Sequence, residues 1–247
     1  MRVIAIIPAR LNSKRFPKKL LEKINGIPLI LMTYQNLISM NIFDEIIVAT
    51  DSVEISNTIK KNGGKVFISK KKHLCGSDRV SEASRNYTSD IVINVQGDEP
   101  FVKSKSLKKI ISFFNDNLNR NIPVVSLFYK TNNPEIINNE NSVKVVVNKD
   151  NFALYFSRSK IPFLRNQNKN FNFNIHVGVY GFLYKSIINF SSLKPSKLEK
   201  IEMLECIRFI ENSQKIKMFQ IEEPTIGIDT SEDLNRAKKY IEDINNV

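Results

Sequence analysis

The sequence predicts an α/β fold: a doubly wound, mostly parallel sheet with a β-rich excursion in its second half. Three observations carry this expectation. Short β-branched runs alternate with segments of helical period through the first half. The polar and charged loops of that half follow the carboxyl ends of the apolar runs, where open α/β sheets bind ligands. The second half strings strands together before a closing amphipathic helix.

In order, Val3 to Ile7 is a continuous apolar run that reads as a buried parallel strand. Pro8 to Leu21 follows as a basic loop. Ile27 to Met40 has helical spacing, Glu45 to Ala49 is a second strand, and Thr50-Asp51 marks its end. Ser52 caps a helix to Lys61, which Gly63-Gly64 stops. Lys65 to Ile68 is a strand, Asp78 to Asn86 a helix, and Asp90 to Val95 a strand with Gln96 to Pro100 at its end. Ser104 to Asn115 and Val124 to Tyr129 complete the alternating half. Beyond it, Val143 to Val147, Ala153 to Phe156 and His176 to Leu183 read as strands around the polar loop Arg165 to Asn174. Leu198 to Glu211 is expected as one helix, Ile216 to Gln220 and Thr225 to Ile228 as short strands, and Ser231 to Asp243 as the last helix.

At 247 residues the chain suits a single domain. It divides into an alternating part (1–130), the β-rich excursion (131–195) and a return to the main sheet (196–247). Hydrophobic residues make up 42%, enough for a sizeable core. No apolar run approaches the length of a membrane span. The apolar start, Met1 to Ile7, is short and followed at once by Pro8, unlike a secretory signal. A cytoplasmic protein is therefore expected. Two cysteines and two histidines make no zinc-type spacing. Any metal should be a hard cation held by carboxylates. The net charge of +12 fits a site for polyanions, or simply a Lys-rich composition. Nucleic acid is not an expected partner: Lys70-Lys71-Lys72 is the one compact basic run, and aromatics do not interleave with it.

Five motifs carry chemistry, and each has a plainer alternative. In PARLNSKRFPKK, Arg10, Lys14, Arg15, Lys18 and Lys19 share one loop after a strand. Five cations there repel one another unless an anion such as a triphosphate is supplied; the alternative is a solvated basic loop. The loop is neither a Walker A nor a dinucleotide fingerprint. In NVQGDEP, Gly97 lets the backbone turn and Asp98 projects from a strand end, where a carboxylate can hold Mg²⁺ beside phosphates. The alternative is a turn feeding a helix. In GIDTSEDL, Asp229 ends another short strand, and the alternative is a helix cap. Two carboxylates at two strand ends say more together than either alone. In HLCGSDR, Ser77 and Arg79 suit a base or ribose, or else a loop and cap. In YFSRSKIP, Arg158 suits a carboxylate, or else solvent. His176 alone is more ordinary as a strand histidine, and Cys75 as a packed small residue.

The order of IPARLNSKRFPKK, VATD, HLCGSDR, NVQGDEP, SVKVVV, ALYFSRSKIP, HVGVYGF and LEKIEMLE resembles the 3-deoxy-manno-octulosonate cytidylyltransferases over nearly the whole chain. The resemblance implies a nucleotide-diphospho-sugar transferase fold and a reaction. CTP and the acidic sugar 3-deoxy-D-manno-octulosonate (Kdo) give CMP-Kdo and pyrophosphate, activating Kdo for lipopolysaccharide synthesis. By the same resemblance, the anomeric hydroxyl of the sugar attacks the α-phosphorus in line, with two Mg²⁺ ions bridging the reactants. By motif, Asp98 and Asp229 are then metal ligands and catalytic together with Lys19. Arg10, Arg15 and Lys19 face the phosphates, and Ser77, Arg79 and Gln96 lie near the cytidine of CTP. Arg158, His176, Tyr180 and Glu205 line the sugar pocket. Residues 1–130 then bind CTP, while residues 131–195 bind the sugar and join a homodimer.

The chain departs from the family pattern in three places. Pro17-Lys18-Lys19-Leu20-Leu21 stands where P-G-K-P-L is usual, His73-Leu74-Cys75-Gly76-Ser77 where H-x-S-G-T is usual, and Leu204-Glu205-Cys206 where L-E-Q is usual. The last leaves another acidic sugar open as substrate, either the 8-amino analogue of Kdo or a nonulosonic acid. A basic nucleic-acid-binding module is the reading from a different class.

Overall fold

A computed structural model describes residues 1–11, 16–117, 122–166, 171–222 and 225–245. The alternating half gives β1 (Val3–Ala9), a 3₁₀ turn (Lys19–Leu21), the small pair β2 (Lys23–Ile24) and β3 (Ile27–Pro28), then α1 (Leu29–Ser39) and β4 (Glu45–Thr50). It continues with α2 (Val53–Lys61), β5 (Lys65–Ile68), α3 (Gly76–Ser84), β6 (Ile91–Val95), α4 (Ser104–Asn117) and β7 (Val124–Thr131). The excursion holds α5 (Pro134–Asn138), β8 (Lys144–Val147), β9 (Ala153–Ser157), β10 (Phe173–Leu183) and α6 (Tyr184–Phe190). The return holds α7 (Lys197–Glu202), α8 (Cys206–Glu211), β11 (Ile216–Gln220) and α9 (Ser231–Asn245).

The main sheet runs β11-β7-β10-β6-β1-β4-β5. β5, β4, β1 and β6 pair in parallel, and so do β7 and β11. β10 is antiparallel to both β6 and β7 and alone opposes the direction of that path. β8 and β9 form a hairpin attached to β10. The expected α/β class, doubly wound and mostly parallel with a β-rich excursion, is the observed one.

β1 shows why an unbroken apolar run was needed. Every one of its residues is buried. Val3, Ala5, Ile7 and Ala9 pack into the core on one face of the sheet, and Ile4 and Ile6 into the core on the other. Cutting such a side chain back to alanine costs about 2–5 kcal/mol in a well-packed core.

Two expected elements differ. The single helix over Leu198 to Glu211 is broken, because Met203 adopts a left-handed conformation with φ 55. A capping box on Ser196 and Glu199 starts α7, and α8 starts afresh after Glu205. In one continuous helix Glu202 and Glu205 would share a face. The break separates them: Glu202 accepts hydrogen bonds from the Ser157 hydroxyl and the Arg158 backbone N–H, while Glu205 turns to Ser77. The second difference is Thr225 to Ile228, which forms no strand among the described residues. Its link to the sheet end is the Ile228 N–H, which donates to the Asp98 carbonyl at 3.0 Å.

Candidate active site

The carboxyl ends of β1, β4 and β6 open on one side of the sheet, and the loop before α9 closes against them. Three side chains meet there. The Lys19 ammonium donates to Asp98 Oδ2 at 2.5 Å and to Asp229 Oδ1 at 2.9 Å. Lys19 is only 6% exposed although it is a lysine. Burial works against its charge, but the fields of Asp98 and Asp229 outweigh that and raise its pKa. Residues 79 and 210 positions away in sequence thus supply the counter-charges. The Asp229 backbone is held by a helix cap: Asp233 accepts from the N–H groups of Asp229 and Thr230, and Thr230 Oγ1 accepts from the Asp233 N–H. The plainer reading of GIDTSEDL, a helix cap, holds, and the cap sets the Asp229 backbone beside Lys19.

The turn expected at Gly97 is present, closed by the Glu99 N–H on the Gln96 carbonyl at 3.0 Å, but the turn is not what requires glycine. The φ of Gly97 is not in the left-handed region. A Cβ there would lie 3.1 Å from Ile30 and 3.2 Å from Leu20, so glycine lets α1 and the 3₁₀ turn carrying Lys19 close on the Asp98 turn. Thr33 on α1 fixes this contact by donating to the Gly97 carbonyl at 2.9 Å.

Glu99 lies behind the pair. Burial, and next the Asp98 charge, push its carboxyl up to about 8. A Cβ on Gly227 would come within 3.1 Å of Glu99 Oε1. Gln96, on the same segment, covers Gly76 so closely that a Cβ there would be 3.0 Å from its amide. Gln96 also donates to Asn94 Oδ1 at 3.3 Å, and Asn94 donates to Ser77 Oγ at 3.3 Å. Asn94 is fully buried in β6 and was not singled out from the sequence, although one Asn inside an apolar run is a signal.

Ser77 sits in the first turn of α3. Its N–H donates to Glu205 Oε2 at 3.0 Å and its hydroxyl to Glu205 Oε1 at 2.8 Å. Arg79, 5% exposed, donates to the Ala9 carbonyl at 3.2 Å and to Asp51 at 2.9 Å. It therefore staples the ends of β1 and β4 together. Its hydrogen bond pulls the Asp51 carboxyl below its usual range. Arg10 is exposed at the end of β1. Arg15, with Ser13 and Lys14, lies outside the described residues. Lys18 does not join the cluster as expected: it is exposed and pairs with Glu54 on α2 at 3.2 Å.

Of the residues assigned to the sugar, Tyr180 and His176 lie side by side on β10, ring centroids 5.4 Å apart. The Tyr180 hydroxyl hydrogen-bonds the Cys206 thiol, and the Glu205 charge acts on it too. His176 packs against Phe156 at 4.9 Å, and its Nε2 meets Ser126 Oγ at 2.9 Å. Burial pushes its pKa down to about 3. The ring is neutral, as an internal strand histidine would be. Arg158 is engaged elsewhere: Nε donates to the Glu202 carbonyl at 2.8 Å and a terminal nitrogen to the Glu140 carbonyl at 3.0 Å. Lys144 braces the same corner, donating to the carbonyls of Asn139, Ser142 and Arg158. Cys75 is no nucleophile in this setting, since burial raises its thiol pKa well above the usual value.

A buried lysine between two carboxylates, beside the polar strip of Asn94, Gln96 and Ser77, fits a nucleotidyltransferase. Residues 4–216 match the cytidylyltransferase family model. The chain is 44% identical to the 3-deoxy-manno-octulosonate cytidylyltransferase of Flavobacterium johnsoniae, over 99% of this chain and 100% of that one. It is 43% identical to the enzyme of the same name from Christiangramia forsetii, over 97% of each. The fold superposes with a TM-score of 0.89 on a CMP:2-keto-3-deoxy-manno-octonic acid synthetase complexed with CTP, 32% identical, covering 98% of this chain and 99% of that one. The chain belongs to the 3-deoxy-manno-octulosonate cytidylyltransferase family. Among the described residues, no helix is long and apolar enough to cross a membrane.

Proposed function

We propose that the protein transfers the cytidylyl group of CTP to Kdo, giving CMP-Kdo and pyrophosphate. The observation that carries this reading is the meeting of Lys19, Asp98 and Asp229 at one point. Two carboxylates already sharing a cation are hard oxygen donors of the kind Mg²⁺ takes, and a Mg²⁺ that shares substrate phosphates needs only one or two of them. Asp98 and Asp229 would hold it. Bound there, Mg²⁺ supplies charge neutralisation on the phosphates and acidifies the attacking hydroxyl.

The chain's own side chains do the rest. Lys19 keeps a fixed positive charge beside the carboxylates, where negative charge develops on the phosphate. Arg10 and Arg15 add cations for the triphosphate. Gln96 offers its amide, and Ser77 an acceptor, to the cytidine, and Arg79 keeps the ends of β1 and β4 in place. Tyr180, Glu205 and neutral His176 shape the sugar side, while Arg158 stays with the Glu202 and Glu140 carbonyls. Such transfer depends on positioning and charge more than on a covalent intermediate, which suits a site with no reactive thiol and no titrating imidazole. The proposal includes a homodimer joined through residues 131–195, where Leu154, Phe163 and Phe171 are exposed, and a cytoplasmic location.

Pyrophosphate release from CTP tests the reading, with Kdo, its 8-amino analogue and a nine-carbon acid offered in parallel with Mg²⁺. Turnover is expected with Kdo, and Asp98→Asn is expected to lower it by about two orders of magnitude or more, the size typical for a lost charge-stabilising group. Near-normal turnover by Asp98→Asn would remove the metal role. Turnover of the nine-carbon acid with none of Kdo would replace the sugar.

A further inference from the structure

Asp78 stands between Ser77 and Arg79, yet its carboxylate turns to Arg208. Its carboxylate belongs to an internal ionic cluster centred on Arg208 of α8, which is 1% exposed. Arg208 Nε and one terminal nitrogen grip the two oxygens of Glu199 on α7 at 2.8 and 2.6 Å. The other terminal nitrogen donates to Asp78 Oδ1 at 2.8 Å and reaches the Leu193 carbonyl at 3.5 Å. The first also approaches Asp78 Oδ2 at 3.4 Å and the Cys75 sulfur at 3.7 Å. Phe190 covers the guanidinium face, 4.2 Å from its carbon. Every donor of the group has a partner, and the partners come from α3, α7 and the turn after α6.

We infer that Arg208 is a positioning residue for both substrate pockets: through Asp78 and Glu199 it fixes the first turn of α3 against α7 and α8, and so sets the contact between Ser77 and Glu205. The inference rests on the placement of Ser77 at the cytidine and Glu205 at the sugar given above.

Two features support a positioning role over a purely stabilising one. First, the contact is two-pointed. Glu205 and Arg208 lie in one turn of chain, with the Arg208 N–H donating to the Glu205 carbonyl at 3.2 Å. Opposite them, Ser77 and Asp78 are consecutive in α3. Two adjacent residues of one helix are thus each bound by a residue from the same turn of another, which fixes rotation as well as distance. Second, a buried ion cluster is a weak source of net stability, because desolvation consumes most of the attraction. What it supplies is geometry, since the flat guanidinium fork donates to its carboxylates in one arrangement only. Lysine would keep the charge and lose the fork.

The test uses Arg208→Lys, Asp78→Asn and Glu205→Gln, with Asp78→Asn/Glu205→Gln as the double variant. Steady-state constants for CTP and the sugar are measured beside thermal melts. Cooperative melting is expected to persist in Arg208→Lys and Asp78→Asn. KM for at least one substrate is expected to rise about tenfold, with kcat changed less than about threefold, as lost positioning in the ground state predicts. The double variant is expected to lose little more than Glu205→Gln alone, because both substitutions act on one contact. Unmoved KM values, additive losses, or loss of the cooperative melt in Asp78→Asn would each overturn the inference, the last by making the cluster a support of the fold and not of the site. An inactive wild type would overturn the functional reading and this inference with it. An active wild type with unmoved variants would overturn the inference alone.

Discussion

The Glu205 carboxylate accepts both hydrogen bonds that Ser77 can donate, one from the backbone N–H at 3.0 Å and one from the hydroxyl at 2.8 Å. A residue assigned to the sugar and a residue assigned to the nucleotide therefore complete each other. Hydrogen bonds to a charged group are worth about 1.5–3 kcal/mol when one partner is removed. Glu205→Gln keeps the shape but loses the charge and one acceptor. Its kcat/KM for the sugar is expected to fall about tenfold or more, by the lower end of that range. Kinetics at saturating CTP check this, and an unchanged kcat/KM would place Glu205 outside the sugar pocket.

The alternating half was legible because its signal is local. β1, β5 and β11 follow from apolar runs, and α2 from Ser52, whose side chain accepts from the Ile55 N–H, and Gly63, which takes φ 75. The break at Met203 was not legible, since nothing in LEKIEMLECIRFIE announces a left-handed methionine. The apolar period runs through the break, and tertiary contacts of Glu202 and Glu205 decide it. Thr225 to Ile228 failed as a strand for a related reason: its composition is strand-like, but no neighbouring edge takes it. In the site, Asp98 and Asp229 could be singled out because an acidic residue directly after an apolar run is conspicuous, although the run before Asp229 forms no strand among the described residues. Arg208 was missed because a cation in an amphipathic stretch reads as solvent-facing, and only the fold shows two distant carboxylates waiting for it.

Lys18 carries a cost that the fold makes visible. It sits at φ 55 and ψ 17, the left-handed region, where a side chain costs about 1–2 kcal/mol relative to glycine. Its partner Glu54 offers little in return, since both side chains are more than half exposed. Lys18→Gly is therefore expected to stabilise the protein by about 0.5–1 kcal/mol after the unfolded chain's extra freedom is subtracted. For a protein of this size that is a rise in melting temperature of roughly 1–4 °C. Calorimetry of the two proteins decides it, and a lower melting temperature would mean that the Glu54 pair matters more than the backbone.

His176 makes stability depend on pH in one direction. Its folded pKa is about 3, against an ordinary value of 6.5, because burial opposes the charge. Above 6.5 the ring is neutral in both states and contributes no pH dependence. As pH falls below 6.5 the unfolded chain takes up the proton and the folded protein does not, so stability is lost from there down toward pH 3. At pH 5 the loss is on the order of 1–2 kcal/mol from this group. His176→Gln keeps a hydrogen-bonding partner for Ser126 and removes the titration. Urea midpoints at pH 7 and pH 5 should move less for the variant than for the wild type, and equal movement would assign the acid sensitivity elsewhere. The same neutral ring predicts that no histidine inflection between pH 5.5 and 8 in the rate profile belongs to His176.

Lys19 holds together two carboxylates that would otherwise repel each other, and this separates its role from theirs. Asp98 and Asp229 side chains are 26% and 37% exposed, while Lys19 is 8%. Removing the lysine leaves two half-solvated carboxylates that water and a divalent cation can still satisfy, so the fold is expected to survive. Lys19→Met should melt within a few degrees of the wild type, about the shift of 1 kcal/mol or less for a partly exposed pair. The fixed positive charge beside the phosphate is lost, and kcat is expected to fall by about two orders of magnitude, the effect typical of one preorganised electrostatic group. The Mg²⁺ requirement should move the other way. With the ammonium gone, the metal no longer competes with it for the two carboxylates, and half-saturation should occur at lower Mg²⁺ than in the wild type. Asp98→Asn and Asp229→Asn should instead raise it. A titration of rate against Mg²⁺ in the three variants reads both predictions at once. A Lys19→Met protein with wild-type kcat would remove the catalytic role of the lysine, and one needing more Mg²⁺ would make it a support of the metal site and not its competitor.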